Sequence, residues 1–255
     1  MKIACLTAAV TVAFASSAFA ADLAPRLYAK APPAPPASTW TGFYIGAEGG
    51  AGWGSDNWQF NNGRTVHDRL SGGLAGGVVG YNWQLPNSPV VLGLEGSFDW
   101  ASLEAAASCP NPNFTCSSKL DQLYSGTVRL GYTWESALFF AKGGYAWTQQ
   151  HVLAKQTALL NTLNGVPIGN DTAGSAGRSG WTIGGGVEVM FAPNWSVKAE
   201  YDYYDFGSSI VDKYPTNTFF IVNPFNERIN SKLSVQTVKA GINYHFNWES
   251  PLVAR

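Results

Sequence analysis

Eight stretches of this chain alternate, residue by residue, between a bulky apolar or aromatic face and a face of glycine, polar and charged side chains. Period two is the mark of a strand, because successive side chains leave a pleated backbone on opposite sides. In the first stretch, opening at Trp40, Phe43, Ile45, Ala47, Ala51 and Trp53 oppose Tyr44, Gly46, Glu48 and Gly50. In the second, about Leu70 to Trp83, Ala75, Val79, Tyr81 and Trp83 oppose Gly76, Gly80 and Asn82. In the third, Val90, Leu92, Leu94, Phe98 and Trp100 oppose Gly93, Glu95, Ser97 and Asp99. In the fourth, Tyr124, Val128, Leu130, Tyr132 and Trp134 oppose Ser125, Thr127, Arg129 and Gly131. Phe139, Ala141, Tyr145 and Trp147 against Lys142, Gly144 and Thr148 make the fifth; Trp181, Ile183, Val187, Val189 and Phe191 against Thr182, Gly184, Gly186 and Glu188 make the sixth. The seventh sets Trp195, Val197, Ala199, Tyr201 and Tyr203 against Ser196, Lys198, Glu200 and Asp202; the eighth sets Val238, Ala240, Ile242, Tyr244 and Phe246 against Thr237, Lys239, Gly241, Asn243 and His245.

The connections alternate as strictly as the faces. Gln84–Pro89, Glu135–Ser136 and Ala192–Asn194 are short turns, whereas Gly54–His67, Ser102–Lys119, Gln149–Gly180 and Gly207–Ser231 are long and polar. An outer-membrane barrel has this asymmetry, with tight periplasmic turns and long extracellular loops, and a soluble barrel has no cause for it. The expected fold is all-β: an eight-stranded antiparallel up-and-down transmembrane β-barrel over 40–246. Beyond the first twenty residues, no apolar run reaches the roughly 18 residues of a spanning helix.

Inside the strands, Glu48, Glu95, Arg129, Lys142, Glu188, Lys198, Glu200 and Lys239 all fall on the parity opposite the aromatic face. A charge on the lipid face costs kilocalories, so the shared parity points these eight inward. Four acids and four bases there read as a salt-bridged core filling a narrow barrel; the alternative is that they line a path for small solutes. Trp53, Trp83, Trp100, Trp134, Trp147, Trp181, Trp195, Tyr201, Tyr244 and Phe246 are the expected aromatic belt, in a chain with 10 Trp and 14% aromatic residues.

Residues 1–20 read as a signal peptide: Lys2, an apolar run from Ile3 to Ala15, and Ala18-Phe19-Ala20 at the cleavage site, with Cys5 discarded. Residues 21–39, with Pro25, Pro32, Pro33, Pro35 and Pro36, read as an extended periplasmic spacer whose Arg26 and Lys30 could also touch an acidic surface. Cys109 and Cys116, separated by turn formers, are expected to form a local disulfide in an oxidising compartment. No zinc set surrounds them, and Gly72–Gly77 lacks the strand-to-helix context of a phosphate-binding loop. Neither a metal nor a cofactor is expected. The balance of 16 Lys+Arg against 17 Asp+Glu gives no footprint for nucleic acid. His67, His151 and His245 are scattered over two loops and one strand end; His151 with Ser175 and Asp171 has no spacing that makes a triad, so a solvated loop histidine and a non-enzyme are expected, with a lipid-modifying outer-membrane enzyme as the weaker alternative. Tyr214, Phe219, Phe220, Ile221, Val222 and Phe225 form an apolar group in the last long connection, which either extends a strand pair or offers a contact surface.

Several motifs in order resemble the small porin-like outer-membrane β-barrel proteins of alphaproteobacteria, the opacity-type or major surface proteins. They are Trp40–Gly46 after an Ala/Pro-rich linker, Gly80–Gln84, Arg129–Tyr132, Glu200–Tyr203, Asp205–Gly207 and Lys239–Phe246. The resemblance implies a structural, envelope-integrity or host-surface role, with outer-membrane lipid and envelope or host ligands as partners. Lys239–Phe246 is similar to the terminal signal read by the barrel-assembly machinery, although here a tail, 247–255, follows it.

Overall fold

A computed structural model describes residues 39–60, 63–109, 114–156, 162–163, 166–167, 172–215 and 227–246. The expected signal peptide, the spacer up to residue 38, the tail 247–255 and Phe219, Phe220, Ile221, Val222 and Phe225 lie outside these residues. Eight strands form a closed barrel: β1 (Gly42–Phe60), β2 (Thr65–Gln84), β3 (Val90–Ser108), β4 (Phe114–Trp134), β5 (Ala137–Gln156), β6 (Thr172–Ala192), β7 (Trp195–Pro215) and β8 (Glu227–Phe246). Each pairs antiparallel with its sequence neighbours, and β1 closes on β8 with Phe43 opposite Phe246 and Ala51 opposite Val238. Outside the barrel, Thr162–Leu163 pairs with Val166–Pro167.

At the short-turn end the chain reverses in few residues. Asn87 (φ 55°) and Glu135 (φ 54°) take the left-handed backbone that tight reversals demand. In the outer half of the barrel, β7 bulges at Phe206-Gly207, two residues facing Leu233 alone, since Asp205 pairs Ser234 and Ser208 pairs Lys232. Gly207 supplies the bulge's positive φ of 59°, and its N–H donates to Asp205 Oδ1 at 2.7 Å, which explains the Asp205-Phe206-Gly207 motif.

The strands are about twice the expected length, 19 residues in β1 and 21 in β4. Gly54–His67, Ser102–Lys119, Gln149–Gly180 and Gly207–Ser231, expected as loops, are instead largely strand. The cause is an inversion of amphipathicity. Between the aromatic girdles the outer face meets lipid and is apolar; above them it meets water, and Arg69, Glu104, Lys119 and His151 point outward while Leu70, Leu103 and Leu120 point in. A one-residue irregularity at Asp121, unpaired between Leu120 and Gln122, resets the parity of β4 so that both Leu120 and Leu123 face inward.

Candidate functional site: a layered interior

From the short-turn end outward, the barrel's inward side chains change character in layers. Nearest the short turns, Trp40, Val91, Leu138 and Met190 form an apolar layer. Trp40 stands just before β1 with its backbone N–H donating to Gln84 Oε1 (3.1 Å), while the Gln84 backbone N–H donates to Thr41 Oγ1 (3.0 Å). Its ring meets that of His245 edge-on, with centroids 5.5 Å apart.

Next comes the charged layer, containing all eight side chains expected inside. Arg129 Nη2 lies 2.5 Å from Glu188 Oε2, and its guanidinium sits 3.6 Å from the Phe140 ring centroid. Glu188 Oε1 also accepts from Asn243 Nδ2 (2.7 Å) and Ser196 Oγ (2.5 Å), and faces His245 Nε2 at 3.2 Å. Arg129 Nη1 donates to the Tyr44 hydroxyl (3.3 Å), which donates to Glu95 Oε2 (2.7 Å). From Glu95 the chain of contacts runs to Lys142 (3.0 Å), and Lys142 reaches Glu200 (3.1 Å) and Asp202 (3.3 Å). Lys198 joins Glu48 (2.5 Å) to Glu200 (3.2 Å); Lys239 contacts Glu48 (2.7 Å), Glu200 (3.0 Å), Asp99 (3.3 Å) and Asp202 (3.3 Å).

Two residues absent from the expected charge network thus belong to it. Asp99 and Asp202 raise the acids to six against the four cations Arg129, Lys142, Lys198 and Lys239, so the expected four-to-four balance is corrected. Sharing compensates for the excess, since Lys142 serves three carboxylates and Lys239 four. The inward glycines are part of the same fit. A Cβ on Gly76 or Gly184 would collide with the carboxylate of Asp99 or Asp202.

Above the charges lies a second apolar layer, including Leu70, Leu74, Leu103, Leu120, Leu123, Tyr204, Phe206, Leu233 and Val235. A polar layer follows. Asp56 accepts from Gln150 Nε2 (2.5 Å) and Ser231 Oγ (2.5 Å), and Arg178 Nη1 donates to Gln150 Oε1 (2.8 Å). Arg178 Nη2 donates to the carbonyls of Gly207 and Ser231, both at 2.7 Å, spanning a stretch where the β6–β7 ladder is irregular between Ala173/Tyr214 and Trp181/Asp205. Burial pulls the Arg178 guanidinium below its ordinary pKa, and the nearby Asp56 offsets part of that. Outermost, Trp58, Phe60, Val66, Cys116, Val152 and Ala154 form a third apolar layer. Cys116 is bonded there to Cys109, with Cα atoms 5.1 Å apart.

The expected belt residues all lie on the outer face, in two rings. Trp83, Trp134, Trp195, Tyr244 and Phe246 ring the short-turn end; Trp53, Trp100, Trp147, Trp181 and Tyr201 ring the other. Ring contacts consolidate both, as in Trp195–Tyr244 (5.1 Å) and Tyr124–Trp147 (5.2 Å). Exposed Ile45, Val79, Leu94, Val128, Ile183 and Val197 fill the band between. From Phe43 to Trp53 the strand climbs ten residues, about 25 Å along the axis of a tilted strand, the height of a bilayer's apolar band. Two tryptophans depart from the belt: Trp40 and Trp58 are 2% and 1% exposed and face inward.

The histidines separate into three environments. His245 is buried against Glu188, on the inward face that its parity gives it. His67 Nδ1 meets Asn57 Oδ1 at 2.6 Å on the outer face. His151 lies opposite Ser175 in the β5–β6 ladder and pairs with Asp121 at 3.4 Å, and no Ser175–His151 hydrogen bond joins them among the described residues. His151 and Ser175, with Glu104 and Lys119, line an open outer-wall hollow of about 910 Å³. Lys119 lies 3.1 Å from Asp121, whose hydrogen bond and charge raise its pKa.

A closed antiparallel cylinder of eight strands, apolar outside between two aromatic girdles and charged within, is a transmembrane β-barrel of the bacterial outer membrane. The chain belongs to the outer membrane protein β-barrel domain family, which it matches over residues 6–246. It is 33% identical over 260 residues to the 31 kDa outer-membrane immunogenic protein of Brucella melitensis, covering 94% of this chain and 98% of that one. It is 30% identical over 182 residues to the 22 kDa outer membrane protein of Rhizobium leguminosarum, covering 71% of each. Among solved structures, the outer membrane protease OmpT of Escherichia coli superposes with a TM-score of 0.50 at 11% identity, covering 82% of this chain and 98% of that one. At that identity the likeness concerns the fold alone.

Proposed function

We propose that this protein is a barrel with a plugged interior, serving as a structural element of the outer membrane and acting on its surroundings through its outer hairpins. The observation that carries this reading is the continuous ion-paired layer from Arg129 to Lys239, held between the apolar layers of Leu138 and Leu70. A solute path needs charges that water can reach, whereas these side chains are no more than 1% exposed. That the Brucella melitensis relative is known as an immunogenic outer-membrane protein supports an outer surface that meets other molecules. Envelope or host ligands are the partners proposed for the outer hairpins, and the barrel-assembly machinery for β8 during biogenesis. Residues 1–20 are proposed to leave as a signal peptide, with 21–39 as an extended linker on the periplasmic side. The reading assigns the barrel no catalytic role.

Liposome swelling with the refolded protein tests it. Vesicles carrying the protein should swell in small sugars no faster than empty vesicles. Rapid swelling that slows when Lys142 or Lys239 is replaced by methionine would establish the narrow-channel reading instead.

A further inference from the structure

We propose that the outer wall formed by β2, β1 and β8 binds a phosphorylated glycolipid of the outer leaflet, its phosphate above Trp53 and its acyl chains below. Ladder registers place Arg69, Ser55 and Ser234 in one row across the three strands, and His67, Asn57 and Lys232 in the next. Both rows lie just above the Ser71–Trp53–Gln236 row, where Trp53 is 42% exposed on the upper girdle. Arg69 and Lys232 point outward, flanking the hydroxyls of Ser55 and Ser234, which are 3.1 Å apart, and the amide of Asn57. Among the described residues neither cation has an acidic partner. The carboxylate next in the row, Asp205 opposite Ser234, is engaged by the Gly207 N–H. Two free cations with hydroxyl and amide donors between them suit a phosphate monoester, which takes several charge-assisted hydrogen bonds. Lys119 on the other wall differs, being held between Glu104 (3.6 Å) and Asp121 (3.1 Å).

A second feature of the same three strands points to the same ligand. Directly below Trp53 the lipid-facing positions of β1 and β2 are small: Ala51 lies opposite Gly73, with Val238 on its β8 side, and Gly49 lies opposite both Ala75 and Ala240. A Cβ built on Gly73 would find its nearest atom 3.9 Å away, so this position is open to lipid. Elsewhere the band carries Leu94, Val128 and Ile183, with a second small pair at Gly96 opposite Gly126, so it is the cations above the trough that single out this wall. A cationic clamp at headgroup height over a shallow trough in the apolar band matches a phosphate joined to straight acyl chains.

Native mass spectrometry of the refolded barrel, titrated with bisphosphorylated and with dephosphorylated lipid A, tests the site. The wild type should favour the phosphorylated lipid by about tenfold or more, the effect expected of charge-assisted contacts. Arg69→Gln with Lys232→Gln should abolish that preference, whereas Lys119→Gln should preserve it. Gly73→Leu should weaken both lipids alike. Heat-dependent gel mobility checks that each variant is folded. The proposal fails if the Arg69/Lys232 variant keeps the preference, if Lys119→Gln removes it equally, or if the wild type binds both lipids alike.

Discussion

Arg129 carries the highest stakes of any single residue. It is fully buried, bonded to Glu188, stacked on Phe140 and linked through Tyr44 to Glu95. Removing one partner of a buried pair leaves the other charge uncompensated, which costs about 3–5 kcal/mol, whereas replacing both by apolar groups is often close to neutral. Arg129→Met should therefore destabilise the barrel by about 3 kcal/mol or more, read by urea unfolding in lipid vesicles. Adding Glu188→Met should recover much of the loss; a double variant less stable than Arg129→Met alone would refute this view of the pair. The same physics explains what was legible at this scale. Parity pointed all eight charges inward because lipid penalises the other choice. Asp99 and Asp202 share that parity, yet only their contacts with Lys239, and that of Asp202 with Lys142, tie them to the network. Arg178 lay beyond reading: it sits ten residues from Glu188 on the same face, in a segment that looked like loop.

At the scale of the strand, the inversion of faces explains both what the sequence revealed and what it hid. Aromatic alternation is clear where lipid makes one face apolar, so the eight spans and their short turns could be read directly. Farther out neither face meets lipid, the aromatics stop, and polar outward residues such as Lys119 and His151 resemble loop. The inversion predicts opposite tolerances on one strand. Leu94→Arg, on the lipid face, should cost about 2–4 kcal/mol, while Ala106→Arg, outward on the extension, should stay within about 0.5 kcal/mol of the parent; equal costs would remove the assigned membrane level. The disulfide acts on the extension alone. Closing a loop with a separation of 7 residues stabilises by about 2–3 kcal/mol in the chain-entropy account. Reduction should speed amide hydrogen exchange at the outer end of β3 and β4 around Cys116 and leave the spans near Leu94 unchanged. Faster exchange at Leu94 as well would mean the outer layer and the membrane core unfold together.

For the whole molecule, the alternation of apolar and polar layers links fold to proposed function. The barrel's outer wall satisfies the bilayer, while its interior pairs the ten charges of one layer between two apolar layers, with the Asp56–Arg178 polar layer and the Trp58 layer beyond. On this account the molecule's capacity to interact lies on its outer hairpins and lipid-facing wall. The end layers were not legible because Trp40 and Trp58 look like belt residues until their direction is known. Planar-bilayer recording of the refolded protein tests the central claim most directly. A plugged interior predicts a flat trace with no steady current steps after insertion is verified by heat-dependent gel mobility. Steady steps whose size changes when Lys142, Lys198 or Lys239 is substituted would contradict it.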